Sequence, residues 1–348
     1  MRQKKFTFID LFAGIGGFRI PFEKSGGECV FTSEWDKYAQ QTYLANFGDQ
    51  PDGDITQIDI KKIAKHDVLL AGFPCQPFSH AGLKRGFEDS RGTLFFNIAH
   101  ILDECRPSFV LLENVKRFTS HDGGRTMRTV LKTLDDLGYN VFHKVLNARD
   151  FGLPQNRERV FIVGINRRKI GDCDFNFPNS LGLPTRLGDI LEKNVSDRYT
   201  ISRKLWSGHK RRRRDQQSIG NGFGYSLFDE DSPYTRTMSA RYYKDGSEIL
   251  ISRGTKNPRK ITPREAARLQ GFPEDFVIPV SDVQAYKQFG NSVPVPVVSA
   301  IAEEIITILL KPAARKPREL QTSFDLFKGS VDSSAYDISQ KKYKQYTA

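Results

Sequence analysis

The segment Gly72-Phe73-Pro74-Cys75-Gln76-Pro77-Phe78-Ser79 sets a cysteine between two prolines, directly after the apolar run Asp67–Gly72. Such a run suits a strand buried on both faces of a parallel sheet. The loop beyond the carboxyl end of that kind of strand faces the crevice where ligands bind. Proline fixes φ, so Pro74 and Pro77 stiffen the loop on either side of Cys75. A thiol held there is a nucleophile once its thiolate is favoured. Cys29, Cys105 and Cys173 read better as small buried hydrophobes. The next apolar run, Ser108–Glu113, leads into Glu113-Asn114-Val115. Neighbouring parallel strands lie about 4.8 Å apart, so Glu113 is expected beside Cys75 at one sheet edge. Farther on, Gln155-Asn156-Arg157-Glu158-Arg159 sets two arginines two apart at a strand start, hence on one face. Two guanidiniums on one face can hold a substrate oxygen and a phosphate; a surface salt bridge is the plainer reading.

A second constellation is Phe8-Ile9-Asp10-Leu11-Phe12-Ala13-Gly14-Ile15-Gly16-Gly17-Phe18, a strand running through a glycine turn into a helix. Glycines let the backbone turn tightly and approach a ligand closely. No G-K-[ST] follows and a full G-x-G-x-x-G is missing, which disfavours a phosphate cradle and a dinucleotide. Glu34 ends the second strand, Glu28–Ser33, where a carboxylate can accept from both ribose hydroxyls. Trp35 can pack on an adenine ring, and Asp54, before Ile55, can accept from an adenine amino group. Singly, each is a turn or a strand-end residue. As an ordered set they fit an adenosine without phosphates, and S-adenosylmethionine is such a ligand.

These residues require a doubly wound α/β domain to position them. Strands are expected at Lys5–Phe12, Glu28–Ser33, Asp67–Gly72, Ser108–Glu113, Asn140–Asn147 and Arg159–Ile165. Helices lie between, as at Phe95–Cys105 and at Thr126–Leu137, which stops at Gly138. Residues 172–260 are rich in Gly, Ser, Asn, Asp, Pro and Arg and too long for one loop. They read as a second, irregular, basic domain. Helical character returns at Thr262–Gln270 and Val297–Leu310, and a polar tail follows.

The length, 348 residues, fits about two domains. The formal net charge of +12 favours polyanionic partners. No apolar run approaches the roughly 18–20 residues of a membrane span, and Met1–Asp10 lacks a signal core. The four cysteines show no C-x-x-C and no zinc spacing, so no metal is expected, and reduced thiols in a cytoplasm are.

The segments FIDLFAGIGGF, SEWD, GDI, GFPCQPFS, ENV, QNRERVFIVG, TPREAARLQGFP and QFGNSVPV follow one another over about residues 6–298. In that order the chain resembles the DNA (cytosine-5) methyltransferases of bacterial restriction-modification systems. The resemblance implies a doubly wound, Rossmann-like methyltransferase sheet with a smaller irregular target-recognition domain inserted. Residues 1–174 and 291–312 would form the catalytic domain, 175–290 the recognition domain, and 313–348 the tail. It implies methyl transfer from S-adenosylmethionine, leaving S-adenosylhomocysteine, to carbon 5 of a cytosine flipped out of a specific double-stranded DNA sequence. By resemblance Cys75 adds to carbon 6, Glu113 serves ring nitrogen 3, Arg159 binds the carbon 2 oxygen, and Arg157 supports the DNA and loop contacts. On the donor side Phe12 stacks on adenine, and Ala13, Gly14, Gly16, Gly17 and Pro74 line the cofactor. Glu34, Trp35, Asp54 and Ile55 take the ribose and adenine, while Asn291 and Ser292 come from a late segment returning beside the glycine turn. On the DNA side Ser79–Arg91 resembles a closing loop, with Gln76, Ser79, Lys84, Arg85 and Arg91 as contacts. The run Lys210, Arg211, Arg212, Arg213, Arg214 suits phosphates, though such a run can also be a solvated surface. Ser218–Phe228 resembles a glycine-hinged recognition loop, and Thr235-Arg236-Thr237-Met238-Ser239 a Thr-Leu recognition motif with Met238 in place of Leu. Arg236, Thr237 and Arg241 are therefore expected at bases or backbone. The protein is expected to be a monomer, with a cognate restriction endonuclease acting on the same site without a stable complex.

Three other readings stand beside this one. One branch of the family methylates tRNA, but the Cys-Phe-Thr tripeptide looked for in the recognition region is absent. A catalytically silent DNA-binding regulator would not need Cys75, Glu113 and both arginines. A nucleotide-dependent oxidoreductase is suggested by fold alone and lacks the third glycine.

Overall fold

The computed structural model describes residues 6–74, 93–222 and 224–311. Cys75, Gln76, Ser79, Lys84, Arg85, Arg91 and the 313–348 tail lie outside the described residues.

Six strands form the main sheet: β1 (Phe6–Leu11), β2 (Gly27–Ser33), β3 (Val68–Gly72), β4 (Phe109–Val115), β5 (Tyr139–Asn147) and β6 (Glu158–Asn166). Their order is β2-β1-β3-β4-β6-β5. The pairs β1–β2, β1–β3 and β3–β4 are parallel, while β6 runs antiparallel to both β4 and β5. The central strands carry the continuous apolar runs that burial on both faces demands: Val68–Ala71 and Phe109–Leu112 have no exposed surface. Alternate residues feed opposite faces. Phe8, Val68 and Leu70 join one cluster, and Ile9, Leu11, Leu69 and Ala71 join the other. Helices α1 (Arg19–Lys24), α2 (Lys37–Phe47), α3 (Thr93–Cys105) and α4 (Arg125–Asp136) connect the strands. From β1 the chain passes to β2 on one side and then to β3 on the other. The order therefore reverses between β1 and β3, and the crevice at their carboxyl ends is where such sheets bind ligands. The glycine turn and the run into Cys75 leave from those two ends.

Beyond β6 the chain builds α5 (Arg203–Ser218), β7 (Leu227–Phe228), β8 (Leu250–Arg253), β9 (Lys256–Lys260), α6 (Pro263–Leu269) and α7 (Asp282–Asn291). The three short strands form a second sheet. A third cluster, with Leu187, Met238, Tyr242, Ile249, Phe272 and Phe289, is joined by Ile15 from the glycine turn and Ala39 from α2. Helix α6 opens with a capping box between Thr262 and Glu265. The same Glu265 pairs with Arg259 at 2.7 Å, both side chains buried. Helix α8 (Val295–Leu309) then returns, and its Val297, Val298, Ile301 and Ile305 enter the first cluster under the main sheet.

One sequence expectation needs correction. The stretch read as irregular contains α5, sixteen residues long. Its inward side offers Leu205, Trp206 and His209 rather than a long apolar stripe, so the 3.6-residue period is faint. Its start is marked by Ser202, whose hydroxyl oxygen accepts from the Leu205 N–H at 3.2 Å. By length and composition alone the stretch Asp282–Leu309 could cross a membrane. Its apolar side is instead spent on the two clusters, and Pro294 separates α7 from α8.

One contact between the end of α7 and the Ser239 segment is backbone against backbone. A Cβ added at Gly290 would lie 2.5 Å from the carbonyl of Ser239 and the nitrogen of Ala240. Neither backbone can yield cheaply, so Gly290→Ala should destabilise the protein by about 1–3 kcal/mol, the usual cost of overpacking. A denaturant melt checks this, and an unchanged midpoint would mean that the contact is loose.

Candidate active site

At the carboxyl end of β1 the backbone enters the left-handed region at Phe12, with φ of +54°, an uncommon conformation for a side chain-bearing residue. Gly14 and Gly16 also have positive φ. The Ala13 N–H donates to the Ser33 carbonyl at 2.9 Å, which ties the turn to the end of β2. The lack of a Cβ at Gly16 admits the ring of Phe47. At Gly17 it admits Ser292 and Val293, whose side chains would stand 2.8 Å from an added Cβ. Ser292 of the returning segment therefore sits directly against the glycine turn.

Glu34 lies on the next strand end and is 7% exposed. Its Oε2 accepts from the Gly14 N–H and its Oε1 from the Asp36 N–H, both at 2.8 Å. Burial raises its pKa, and these backbone donors oppose the rise. Trp35 beside it is 78% exposed, an open aromatic face at the rim. Asp54 is exposed and caps a short 3-10 turn, accepting from the Thr56 N–H at 2.9 Å, while Ile55 is buried. Asp10, near the end of β1, is fully buried, and neither carboxyl oxygen has a partner among the described residues. Burial holds its pKa well above the usual carboxylate range, with Arg19 pulling the other way. An unmatched buried acceptor at the base of the turn is costly unless something supplies a donor. Together with Glu34 and the open face of Trp35, it fits a ligand carrying an adenosine and a cationic end. Burial without a partner, rather than any sequence signal, singles out Asp10.

The second half of the site lies at the ends of β3, β4 and β6. Register places Glu113 opposite Gly72 on β3 and Val115 opposite Arg159 on β6. Arg159 Nε meets Glu113 Oε1 at 2.9 Å, with side chains 11% and 9% exposed. Arg159 Nη1 donates to the Glu158 carbonyl at 2.8 Å. Asn114 donates from Nδ2 to the Phe73 carbonyl at 2.9 Å, fastening the run that leads into Cys75. Burial raises the pKa of Glu113 against the pull of Arg159 and Arg157. Burial likewise lowers that of Arg159 against the pull of Glu113. Desolvation pushes both toward neutrality while their attraction keeps them charged, so a proton on Glu113 is held more tightly than on a free carboxylate.

Arg157 departs from its expected place at the DNA. It is fully buried. Nη1 donates to the Met238 carbonyl at 3.0 Å, and Nη2 to the carbonyls of Gly290 at 2.9 Å and Ser292 at 2.6 Å. The reason is that carbonyls from two segments distant in the chain close over it and take its donors, while it still lies near Arg159 and Glu113. Burial, reinforced by Arg159, lowers its pKa well below the ordinary arginine value. Arg157 thus pins together the approach to β6, the Thr235–Ser239 segment and the returning segment. Gln155, unassigned from sequence, works beside it. It donates to the Leu269 carbonyl and accepts from the Met238 N–H, each at 3.0 Å.

On the expected DNA side, Arg236 and Arg241 are exposed. Thr237 is half-buried and donates from its hydroxyl to the Asn156 carbonyl at 2.6 Å. The Lys210–Arg214 run lies on α5 with every member exposed. Among the described residues no group of three or more His, Cys, Asp or Glu is arranged to hold a metal ion.

Comparison with known proteins gives this geometry a family. Residues 6–307 match the model of the C-5 cytosine-specific DNA methylases. The chain is 60% identical over 307 residues to the type II methyltransferase M.SsoII of Shigella sonnei, covering 88% of this chain and 81% of that one. It is 58% identical to M.NlaX of Neisseria lactamica, covering 89% of this chain and 99% of that one. In fold it is similar to the S. pombe Dnmt2 methyltransferase structure, with a TM-score of 0.73 at 21% identity over 88% of this chain and 100% of that one. The chain therefore belongs to the C-5 cytosine-specific DNA methylase family, as a DNA (cytosine-5) methyltransferase that uses S-adenosylmethionine.

Proposed function

We propose that this enzyme methylates carbon 5 of a cytosine within one short sequence of double-stranded DNA, through a covalent adduct of Cys75 at carbon 6. It would serve as the modification partner of a restriction endonuclease, as the type II relatives suggest. The observation that carries the reading is the buried Glu113–Arg159 pair at the end of β4, beside the strand that leads into Cys75.

Carbon 5 of cytosine is a weak nucleophile, and both carbons are hidden in a duplex. The base must leave the stack, at a cost of a few kcal/mol. The Cys75 thiolate then adds to carbon 6 and makes carbon 5 enamine-like. Glu113 holds a proton at ring nitrogen 3, which relieves the charge that the addition would leave in the ring. Arg159 keeps Glu113 oriented, and its guanidinium donates to the carbon 2 oxygen. The cofactor, when bound, supplies an electrophilic methyl group. Phe12, Ala13, Gly14, Gly16, Gly17, Glu34, Trp35, Asp54, Ile55, Pro74, Asn291 and Ser292 would hold it. Loss of the carbon 5 proton to a base and departure of Cys75 restore the enzyme. Residues 175–290 would read the DNA, with Arg236, Thr237 and Arg241 near the bases. The enzyme would act as a monomer in the bacterial cytoplasm.

The test is methyl transfer from labelled S-adenosylmethionine to a plasmid library and to tRNA, with conversion sequencing of the DNA. Label at one cytosine of one short duplex sequence is expected. Label on tRNA alone would overturn the reading.

A further inference from the structure

We propose that one face of α5 is a phosphate-contacting stripe made of Arg203, Lys204, Arg211 and Arg214, and that its partner is the backbone of duplex DNA. The proposal rests on the reading of residues 175–290 as the DNA-facing segment and divides the Lys210–Arg214 run into two classes.

The division follows from what each cation touches. Arg212 reaches Asp245 at 3.2 Å. Arg213 lies over the Tyr225 ring at 4.9 Å, and its side chain fills the space beside Gly224. Lys210 stands 5.5 Å from the centre of the Trp206 ring, which itself packs edge-on against Tyr225. His209, buried, bonds to the Asp245 carbonyl at 3.2 Å. These contacts anchor one side of the helix. At 3.6 residues per turn, Arg203, Lys204, Arg211 and Arg214 fall within a roughly 100° arc on the other side. All four are exposed and have no hydrogen bond, ion pair or ring contact among the described residues.

That free face is built against its own electrostatics. The helix carries seven cations and a single carboxylate, Asp215, which lies on its flank. Lys210 and Arg214 are like charges four apart, and Arg211 and Arg214 three apart, spacings that repel on a helix. Arg203 and Lys204 stand in the first turn, where the helix dipole disfavours positive charge. A solvated face offsets only part of this, through Asp215 four residues after Arg211, whereas a polyanion relieves the rest. From Arg203 to Arg214 the stripe spans about 16 Å at 1.5 Å per residue. Over such a length one DNA strand presents about five phosphates.

The experiment uses the full chain and a labelled duplex of about 30 base pairs, with affinity followed by anisotropy between 50 and 200 mM salt. Combined Arg203→Gln, Lys204→Gln, Arg211→Gln and Arg214→Gln should flatten the slope of log K against log salt by roughly 1 for each cation that meets a phosphate. The loss should be equal on duplexes with and without the methylation site, because phosphates carry no sequence. The melting temperature should hold or rise, since like charges have been removed, so the flattening is not unfolding. Arg211→Lys with Arg214→Lys should keep the wild-type slope. Arg212→Gln should lower the melting temperature and keep the slope. An unchanged slope in the quadruple variant, while the wild type binds and methylates duplex DNA, would overturn the stripe alone. A slope lost equally in Arg212→Gln and Arg211→Gln would overturn the division of the run. Failure of the wild-type protein to bind duplex DNA would overturn the reading beneath it.

Discussion

Cys75→Ser should lower methyl transfer to duplex DNA by at least about 10⁴-fold, the scale seen when an essential nucleophile is removed. A thiol ionises near pH 8.5, so a usable thiolate fraction exists near neutrality and a modest environmental push enlarges it. A serine hydroxyl is a far weaker acid and would have to add to carbon 6 as an alkoxide. Without that addition carbon 5 never becomes enamine-like, and neither Glu113 nor Arg159 can replace it. Sequence-specific binding should survive, because the contacts proposed for the phosphates and bases belong to other side chains. Single-turnover methyl transfer, measured with binding to the same duplex, checks both halves. Full turnover by the variant would sink the covalent mechanism.

Glu113→Gln is expected to cost about 10²–10⁴ in kcat, the usual contribution of a positioned acid. The amide keeps the shape but cannot share a proton with ring nitrogen 3. It also leaves Arg159 with one fewer anionic partner in a buried place. The sign of the pH effect follows from burial. The pKa of Glu113 is raised, so its protonated form persists to higher pH than in a free carboxylate and is lost as pH climbs through that raised value. Wild-type kcat should therefore show a falling limb on that side. In Glu113→Gln that limb should vanish. A kcat–pH profile of both proteins decides it, and an identical falling limb in the variant would assign that limb to another group.

Much of the site was legible because its residues stand at ends of strands whose identity burial imposes. Val68–Ala71 and Phe109–Leu112 are apolar throughout because both faces of the sheet are covered, and a run of that kind can be seen without a structure. Glu113 could be placed beside the Cys75 loop from strand spacing alone, and the register of Gly72 with Glu113 agrees. Arg157 could not. Its fate depends on the carbonyls of Met238, Gly290 and Ser292, which are far along the chain and carry no side-chain signal. Helix α5 was obscured because aromatic and cationic contacts, rather than aliphatic ones, hold its inner side.

By itself, then, the sequence determined the parallel strands, the glycine turn, the acidic strand end at Glu34 and the order of the chemical groups. All of these follow from local patterns: burial on both faces, positive φ at glycine, and the alternation of a pleat. Tertiary structure alone decided that β6 runs antiparallel between β4 and β5, that Asp10 is sealed without a partner, and that Gly290 touches the Ser239 backbone. It also decided which arginines are spent inside the protein and which remain outside. Whether a guanidinium meets a carbonyl, a ring, a carboxylate or water is set by segments brought together from distant parts of the chain, and identical residue types in one run, such as Arg211 and Arg212, receive different answers.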